Sequence, residues 1–228
     1  LTVSGASAAS KTYDGTTAAT VSGGALSGVL GGDSVSFSQS GSFDSKNVGT
    51  GKAVTLGLSG ADAGNYIVLG TVTADITAAT LAVNTAAANK TYDGTTAATL
   101  HGSLSGLAGG DSVTLTQSGS FSDKNAGTAK TVSYTSGISG ADAGNYVLAS
   151  SNGTTTASIT PAALTVTANN DSRTADGSAY SGGNGVSYSG FVAGEDSGVL
   201  GGSLTYGGTS QGASTAGSYS IAAGGLSA

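Results

Sequence analysis

KTYDGTTAAT occupies Lys11 to Thr20 and returns letter for letter at Lys90 to Thr99. The landmarks behind it return in the same order: GGDSV from Gly31 and Gly109, SGSF from Ser40 and Ser118, KNVGT from Lys46 and KNAGT from Lys124, SGADAGNY from Ser59 and Ser139. A fixed period of about 80 residues marks tandem units rather than one large domain. The units expected are 1–79 and 80–162. A third, 163–228, opens with LTVTANNDSRTADG at Leu164, parallel to LAVNTAAANKTYDG at Leu81, with Arg173 for the lysine and Ala175 for the tyrosine. Its GFVAGED at Gly190 mirrors GLAGGDS at Gly106. It is shorter, stops before any equivalent of the strands around Tyr66 to Thr77, and is expected to be truncated.

Within the units the apolar period is two, the mark of strands with one buried face. Val72, Ala74 and Ile76 alternate with Thr71, Thr73, Asp75 and Thr77, and Val113 and Leu115 alternate with Ser112, Thr114 and Thr116. Short strands set off by Gly, Ser, Asp and Asn clusters point to sandwiches or barrels. One motif narrows the fold. Asp62, Gly64 and Tyr66 spell D-x-G-x-Y, as do Asp142, Gly144 and Tyr146. In immunoglobulin-like domains that spacing makes a corner whose tyrosine hydroxyl bonds back to backbone. The expectation is all-β, tandem immunoglobulin-like β-sandwich repeats, with a β-grasp-like unit as the alternative. The closing strand of each unit runs almost directly into the next, at Thr71–Leu81 and Ser158–Leu164, which predicts a stiff, extended rod.

Composition excludes several classes. The 228 residues include 40 Gly, one Pro and no Cys, Met or Trp, and 9% are charged. Regular Val, Leu, Ile, Tyr and Phe argue against disorder. A net charge of −6 with seven basic residues spread singly offers no stripe for phosphates, so nucleic acid is not an expected partner. No apolar stretch approaches the roughly 20 residues that span a bilayer, so no membrane insertion is expected. His101 is the only histidine, so neither a repeated Ser-His-Asp triad nor a His-based zinc site fits. The chain reads as a non-enzyme. Leu1 at the first position, with no basic-then-apolar leader, reads as a segment from inside a longer exported chain.

The candidate residues each have a structural and a functional reading. Tyr13, Asp14 and Gly15, with Tyr92, Asp93 and Gly94, read as a tight turn whose tyrosine packs locally; the functional alternative is a sugar site built on an aromatic and a carboxylate. Asp33, Asp44, Asp62, Asp111, Asp123 and Asp142 read as turn caps, with calcium between units as the option, since no calcium-loop spacing is present. No cofactor is expected otherwise. Lys11 and Lys90, with Asn65 and Asn145 or a nearby aspartate, supply the residue types of an intramolecular crosslink. Tyr180, Tyr188 and Tyr206 in the divergent unit form a candidate ligand patch for glycan or polysaccharide.

These motifs carry a family resemblance. KTYDG, the downstream GGDSV, and ADAGNY followed by a strand ending in ITAA or ITPA resemble the YDG repeats of filamentous haemagglutinin-type bacterial adhesins, over Leu1 to about Ala163. The third unit, with LTVTAN, SGFVAGED and TAGSYSI, is similar to the mostly-β, glycine-rich MBG repeats, departing at Ala175 and at Thr215, where an aspartate would begin the corner. The resemblance implies an extracellular or bacterial cell-surface protein, exported through the outer membrane by two-partner secretion. It implies that these repeats are a stalk or display surface and that catalytic residues are absent. The alternative is that the repeats themselves bind glycan, polysaccharide or a host-surface receptor, or self-associate in biofilm.

Overall fold

The computed structural model describes all residues from Leu1 to Ala228. It is all-β, 52% strand, with several sheets and no α-helix, consistent with repeats of the β-sandwich type. The helical segments are three-residue 3-10 turns at Ala63–Asn65, Ala143–Asn145 and Ser197–Val199.

In the first repeat, β1 (Thr2–Ala8), β2 (Lys11–Thr12), β3 (Ala18–Ser27), β4 (Ser36–Phe43), β5 (Gly49–Ser59) and β6 (Thr71–Thr77) are hydrogen-bonded in the order β1-β3-β4-β5-β6-β2. β3 is long enough to serve two partners. Its C-terminal part pairs with β1 (Ala8↔Val21 through Thr2↔Ser27), and its first residues pair with β4 (Ala18↔Ser42). The short β2 lies parallel to β6, Lys11 opposite Ile76.

The second repeat contains β7 (Ala79–Ala87), β8 (Lys90–Thr91), β9 (Ala97–Ala98), β10 (Leu100–Ser105), β11 (Thr114–Phe121), β12 (Gly127–Ser139), β13 (Tyr146–Leu148) and β14 (Asn152–Thr160). Their sheets run β10-β7-β13 and β8-β14-β12-β11-β9. β8 lies parallel to β14, as β2 does to β6. In the third repeat β15 (Thr165–Ala168) pairs antiparallel with β16 (Val186–Ser189), and β17 (Gly201–Gly207) with β18 (Ala222–Ser227).

The alternation seen in sequence becomes alternation of burial, because successive side chains of a strand face opposite sides of the sheet. Ala74 and Ile76 of β6 are buried while Thr71, Thr73 and Thr77 are exposed. Ala157 and Ile159 repeat this in β14.

Packing does not divide where the repeats divide. The compact units are Leu1–Ala86 with Thr99–Gly119 and Ser133–Thr155, and Ala87–Ala98 with Ser120–Val132 and Thr156–Ala228. The 79/80 boundary is thus one of sequence alone. The reason lies in the core of the first unit, where Val21, Phe43, Val54, Leu56 and Ile76 of the first repeat close over Leu81 and Tyr146 of the second. The second unit buries Phe121, Val132, Ala157 and Ile159.

One position is strained. Ala129 takes a φ of 48° at the place where the first repeat has Gly51, whose φ is 60°. A Cβ in the left-handed region costs roughly 1–2 kcal/mol, partly offset by the extra freedom a glycine has when unfolded. Ala129→Gly is therefore expected to stabilise the protein by about 0.5–1 kcal/mol in denaturant titration. A loss of stability would show that the backbone there is not left-handed.

Candidate functional site

The repeated KTYDG motif builds a closed turn. β2 aligns Lys11 and Thr12 on β6, and the Tyr13 N–H extends the pairing by donating to Thr77 O at 2.8 Å. Asp14 Oδ1 then accepts from the Thr16 N–H at 2.9 Å and from Lys11 Nζ at 2.8 Å, and Gly15 supplies the φ of +80° that the turn requires. Lys11 Nζ also donates to Thr16 O at 2.9 Å and sits 5.6 Å from the centre of the Phe43 ring. The Lys11 hydrogen bond holds the Asp14 carboxyl down at about 2. The second repeat copies each contact: Lys90 to Asp93 at 2.8 Å, Thr95 N–H to Asp93 at 2.9 Å, Lys90 over Phe121 at 5.5 Å, Gly94 at a φ of +77°. Both lysines therefore close onto their own turn, and the crosslink pairing with Asn65 or Asn145 is not the one they adopt.

The tyrosine of the motif does not pack locally. Tyr13 is 4% exposed, and its hydroxyl donates to Asp111 Oδ2 at 2.7 Å, in the second repeat. The same carboxylate accepts from Tyr146 at 2.6 Å and, through Oδ1, from Lys46 Nζ at 2.6 Å. Lys46 also lies 3.3 Å from Asp142 Oδ1 and 5.8 Å from the centre of the Tyr13 ring. The rings of Tyr13 and Tyr146 meet edge to face at 5.3 Å. The residues after Lys46 continue the grip: the Val48 N–H donates to Asn145 Oδ1 at 3.0 Å, and Asn145 Nδ2 to Asn47 Oδ1 at 3.2 Å.

The Asp111 side chain is 1% exposed, a placement that requires the carboxylate to be fully hydrogen-bonded. Three donors meet that need, one of them charged. The Lys46 bond first, then those of Tyr13 and Tyr146, hold Asp111 down at about 2. Asp111 in turn holds the Lys46 ammonium above its ordinary range. Burial, then the Asp111 bond, raises both Tyr13 and Tyr146.

The next junction uses the same parts. Tyr92 donates its hydroxyl to Glu195 Oε1, Lys124 Nζ donates to the same oxygen at 2.8 Å, and Lys124 sits 5.7 Å from the Tyr92 ring centre. Lys124, then Tyr92, lowers the Glu195 carboxyl. The turn glycines abut matching positions too: a Cβ on Gly15 would meet Ala108, and one on Gly94 would meet Val192. A second tyrosine is missing from this junction, since Tyr219 bonds Thr215 of its own segment.

The D-x-G-x-Y tyrosines reach backbone by a longer route than an immunoglobulin corner. The Tyr66 hydroxyl accepts from the Leu30 N–H at 3.1 Å and donates to Asp33, while Asp62 Oδ2 accepts from the Ser34 N–H at 2.8 Å. Tyr146 and Asp142 make the matching bonds to Ala108 and Ser112, both at 2.9 Å. Gly64 and Gly144 lie in the 3-10 turns that lead into these tyrosines. Each tyrosine thus pins the loop before β4 or β11 rather than a neighbouring corner.

The three tyrosines of the divergent unit have different immediate partners. Tyr180 lines a hollow of about 450 Å³ with Asp171, Arg173, Thr215 and Tyr219, and its hydroxyl donates to Asp171 Oδ2 at 2.7 Å. Tyr188 packs on Phe191 at 5.5 Å, and the Tyr206 ring lies over Gly183. No group of three or more His, Cys, Asp or Glu side chains is placed to hold a metal ion. The loop aspartates considered for calcium have other partners: Asp44 pairs with Lys52 at 2.8 Å, and Asp123 with Lys130 at 2.5 Å.

Comparison with known families agrees with this repeat architecture. The chain matches the YDG domain over residues 1–74 and again over 77–156, and the MBG domain (YGX type) over 164–228. It belongs to the YDG domain family, with two YDG domains followed by an MBG domain. Such domains are typical of extracellular repeat regions. No curated protein and no solved structure matches the chain.

The residues that grip across the junction, Lys46, Asp111, Asn145, Lys124 and Glu195, were not singled out from sequence as a joint. The signal that was available is the KN lysine that follows each YDG tyrosine at nearly the same spacing, Lys46 after Tyr13 and Lys124 after Tyr92. Asp111 ties this geometry to pH. An unfolded aspartate titrates near 3.9, so a carboxyl held at about 2 contributes stability that is fully present above about pH 4 and is lost as pH falls toward about 2. Asp111→Asn is expected to flatten the acid limb of stability against pH, read as denaturant midpoints at about pH 5, 3 and 2. Tyr13→Phe should cost roughly 1–2 kcal/mol at neutral pH through its lost bond to the carboxylate. An unchanged acid limb in Asp111→Asn would refute the buried carboxylate.

Proposed function

We propose that this chain is a structural, non-catalytic repeat segment of a large bacterial cell-surface or secreted adhesin of the filamentous haemagglutinin type, exported by two-partner secretion. In that role it spaces or displays a binding region. The observation that carries the reading is the joint itself. A tyrosine and a lysine from one repeat close on a carboxylate of the next, at Asp111 and again at Glu195. A joint repeated in kind suits a chain whose product is reach. Each of the seven basic residues is engaged in an ion pair, which leaves no cationic stripe for a polyanion. No helix is long and apolar enough to cross a membrane.

The second reading, a binding module for glycan or polysaccharide, is favoured by the hollow that Asp171, Arg173, Tyr180 and Tyr219 line, which combines aromatic faces with hydrogen-bonding groups. Trypsin treatment of intact cells separates location, and a glycan array separates mode. The stalk reading expects peptides from this segment to be released without lysis, and expects no glycan bound at micromolar protein. Peptides that appear only after lysis would overturn the surface assignment. Glycan binding abolished by Tyr180→Ala would replace the stalk reading with the binding module.

A further inference from the structure

The face of the second repeat that receives Tyr13 and Lys46 exists a second time, on the first repeat. Tyr66, Asp33, Leu30, Asp62 and Ser34 make among themselves the bonds that Tyr146, Asp111, Ala108, Asp142 and Ser112 make. The difference is cover. Tyr146 and Asn145 are each 5% exposed beneath the preceding repeat, whereas Tyr66 is only half-buried, Asn65 is exposed, and Leu30, the counterpart of Ala108, is 70% exposed.

Charge differs in the same sense. Asp111 and Asp142 share Lys46, but neither Asp33 nor Asp62 has a cationic partner. The first repeat therefore carries the carboxylate end of a joint without its lysine.

We propose that the surface formed by Leu30, Asp33, Asp62, Asn65 and Tyr66 is a docking socket for a further YDG repeat, whose motif tyrosine and KN lysine close on Asp33 as Tyr13 and Lys46 close on Asp111. A second copy of this chain is not the occupant. Its two tyrosine-lysine pairs are already engaged, Tyr13 and Lys46 by Asp111, Tyr92 and Lys124 by Glu195. Its third repeat has Ala175 in the tyrosine position, and Arg173 there faces Asp176 of its own turn.

Strand register directs the incoming repeat to the socket. The Leu69 N–H donates to Leu1 O at 2.8 Å, as the Ala149 N–H donates to Leu81 O at 2.9 Å. Ahead of Leu81, Ala79 and Thr80 lie parallel to Tyr146 and Val147. Residues joined ahead of Leu1 in that register run beside Tyr66 and Ile67, which brings the unit they belong to onto Asp33. The exposed apolar Leu30 then meets the turn glycine of that unit, as Ala108 meets Gly15.

The chain has no cysteine, so one introduced thiol reports the socket cleanly. Leu30→Cys is placed in the 228-residue chain and in a chain lengthened by a second copy of residues 1–80 joined ahead of Leu1, and the rate of thiol alkylation is compared. The lengthened chain should react at about one tenth of the shorter chain's rate or below, a factor of ten corresponding to about 1.4 kcal/mol of docking. Protection should vanish when the added copy carries alanine for its equivalents of Tyr13 and Lys46, and equally with Asp33→Ala in the original repeat. Equal rates in the two unmutated chains, or protection that survives both changes, would overturn the proposal. The readout uses purified protein and is independent of where the protein resides, so its failure leaves the surface-stalk reading to be judged by its own test.

Discussion

One buried carboxylate organises the first junction. Asp111 sits almost wholly out of water, and such a group is tolerable only when its lone pairs are answered. The answers come from both sides of the joint: Tyr146 from its own repeat, Tyr13 and Lys46 from the repeat before. Alignment of the repeats and neutralisation of the charge are thereby one event. Glu195 does for the second junction what Asp111 does for the first, each paired with a lysine of the repeat before.

The same interaction explains why compactness ignores the sequence period. Leu81 and Tyr146 complete a core begun by Val21, Val54 and Ile76, so the first repeat ends, in packing terms, inside the second. Units of about 80 residues without disulfides or metals bury modest cores, and neighbour contacts supplement them. The Ala108 and Val192 side chains against Gly15 and Gly94 show how little space the joint leaves: the turn glycine is needed for its φ and for its missing Cβ alike.

The proposed role rests on a joint that repeats. The YDG and MBG domains place the chain among repeat regions, and the tyrosine-lysine-acid contacts give that classification a mechanism of connection. In the hollow of the MBG domain aromatic and polar groups converge in another pattern.

The sequence by itself determined the strands and the turns. Thr-Val-Thr-Ala-Asp-Ile-Thr from Thr71 to Thr77 alternates because a strand alternates, and Asp14-Gly15 turns because a short carboxylate caps its own backbone while glycine admits positive φ. Both are local properties, set within a few residues. Only the tertiary structure decided what Tyr13 does. Its partner lies 98 residues on, and a phenol that ends a turn carries no mark of whether it packs at home or reaches away. The division into compact units and the reach of Tyr66 to Leu30 were settled the same way. Sequence period counts residues, whereas packing joins whichever apolar and polar surfaces must leave water together.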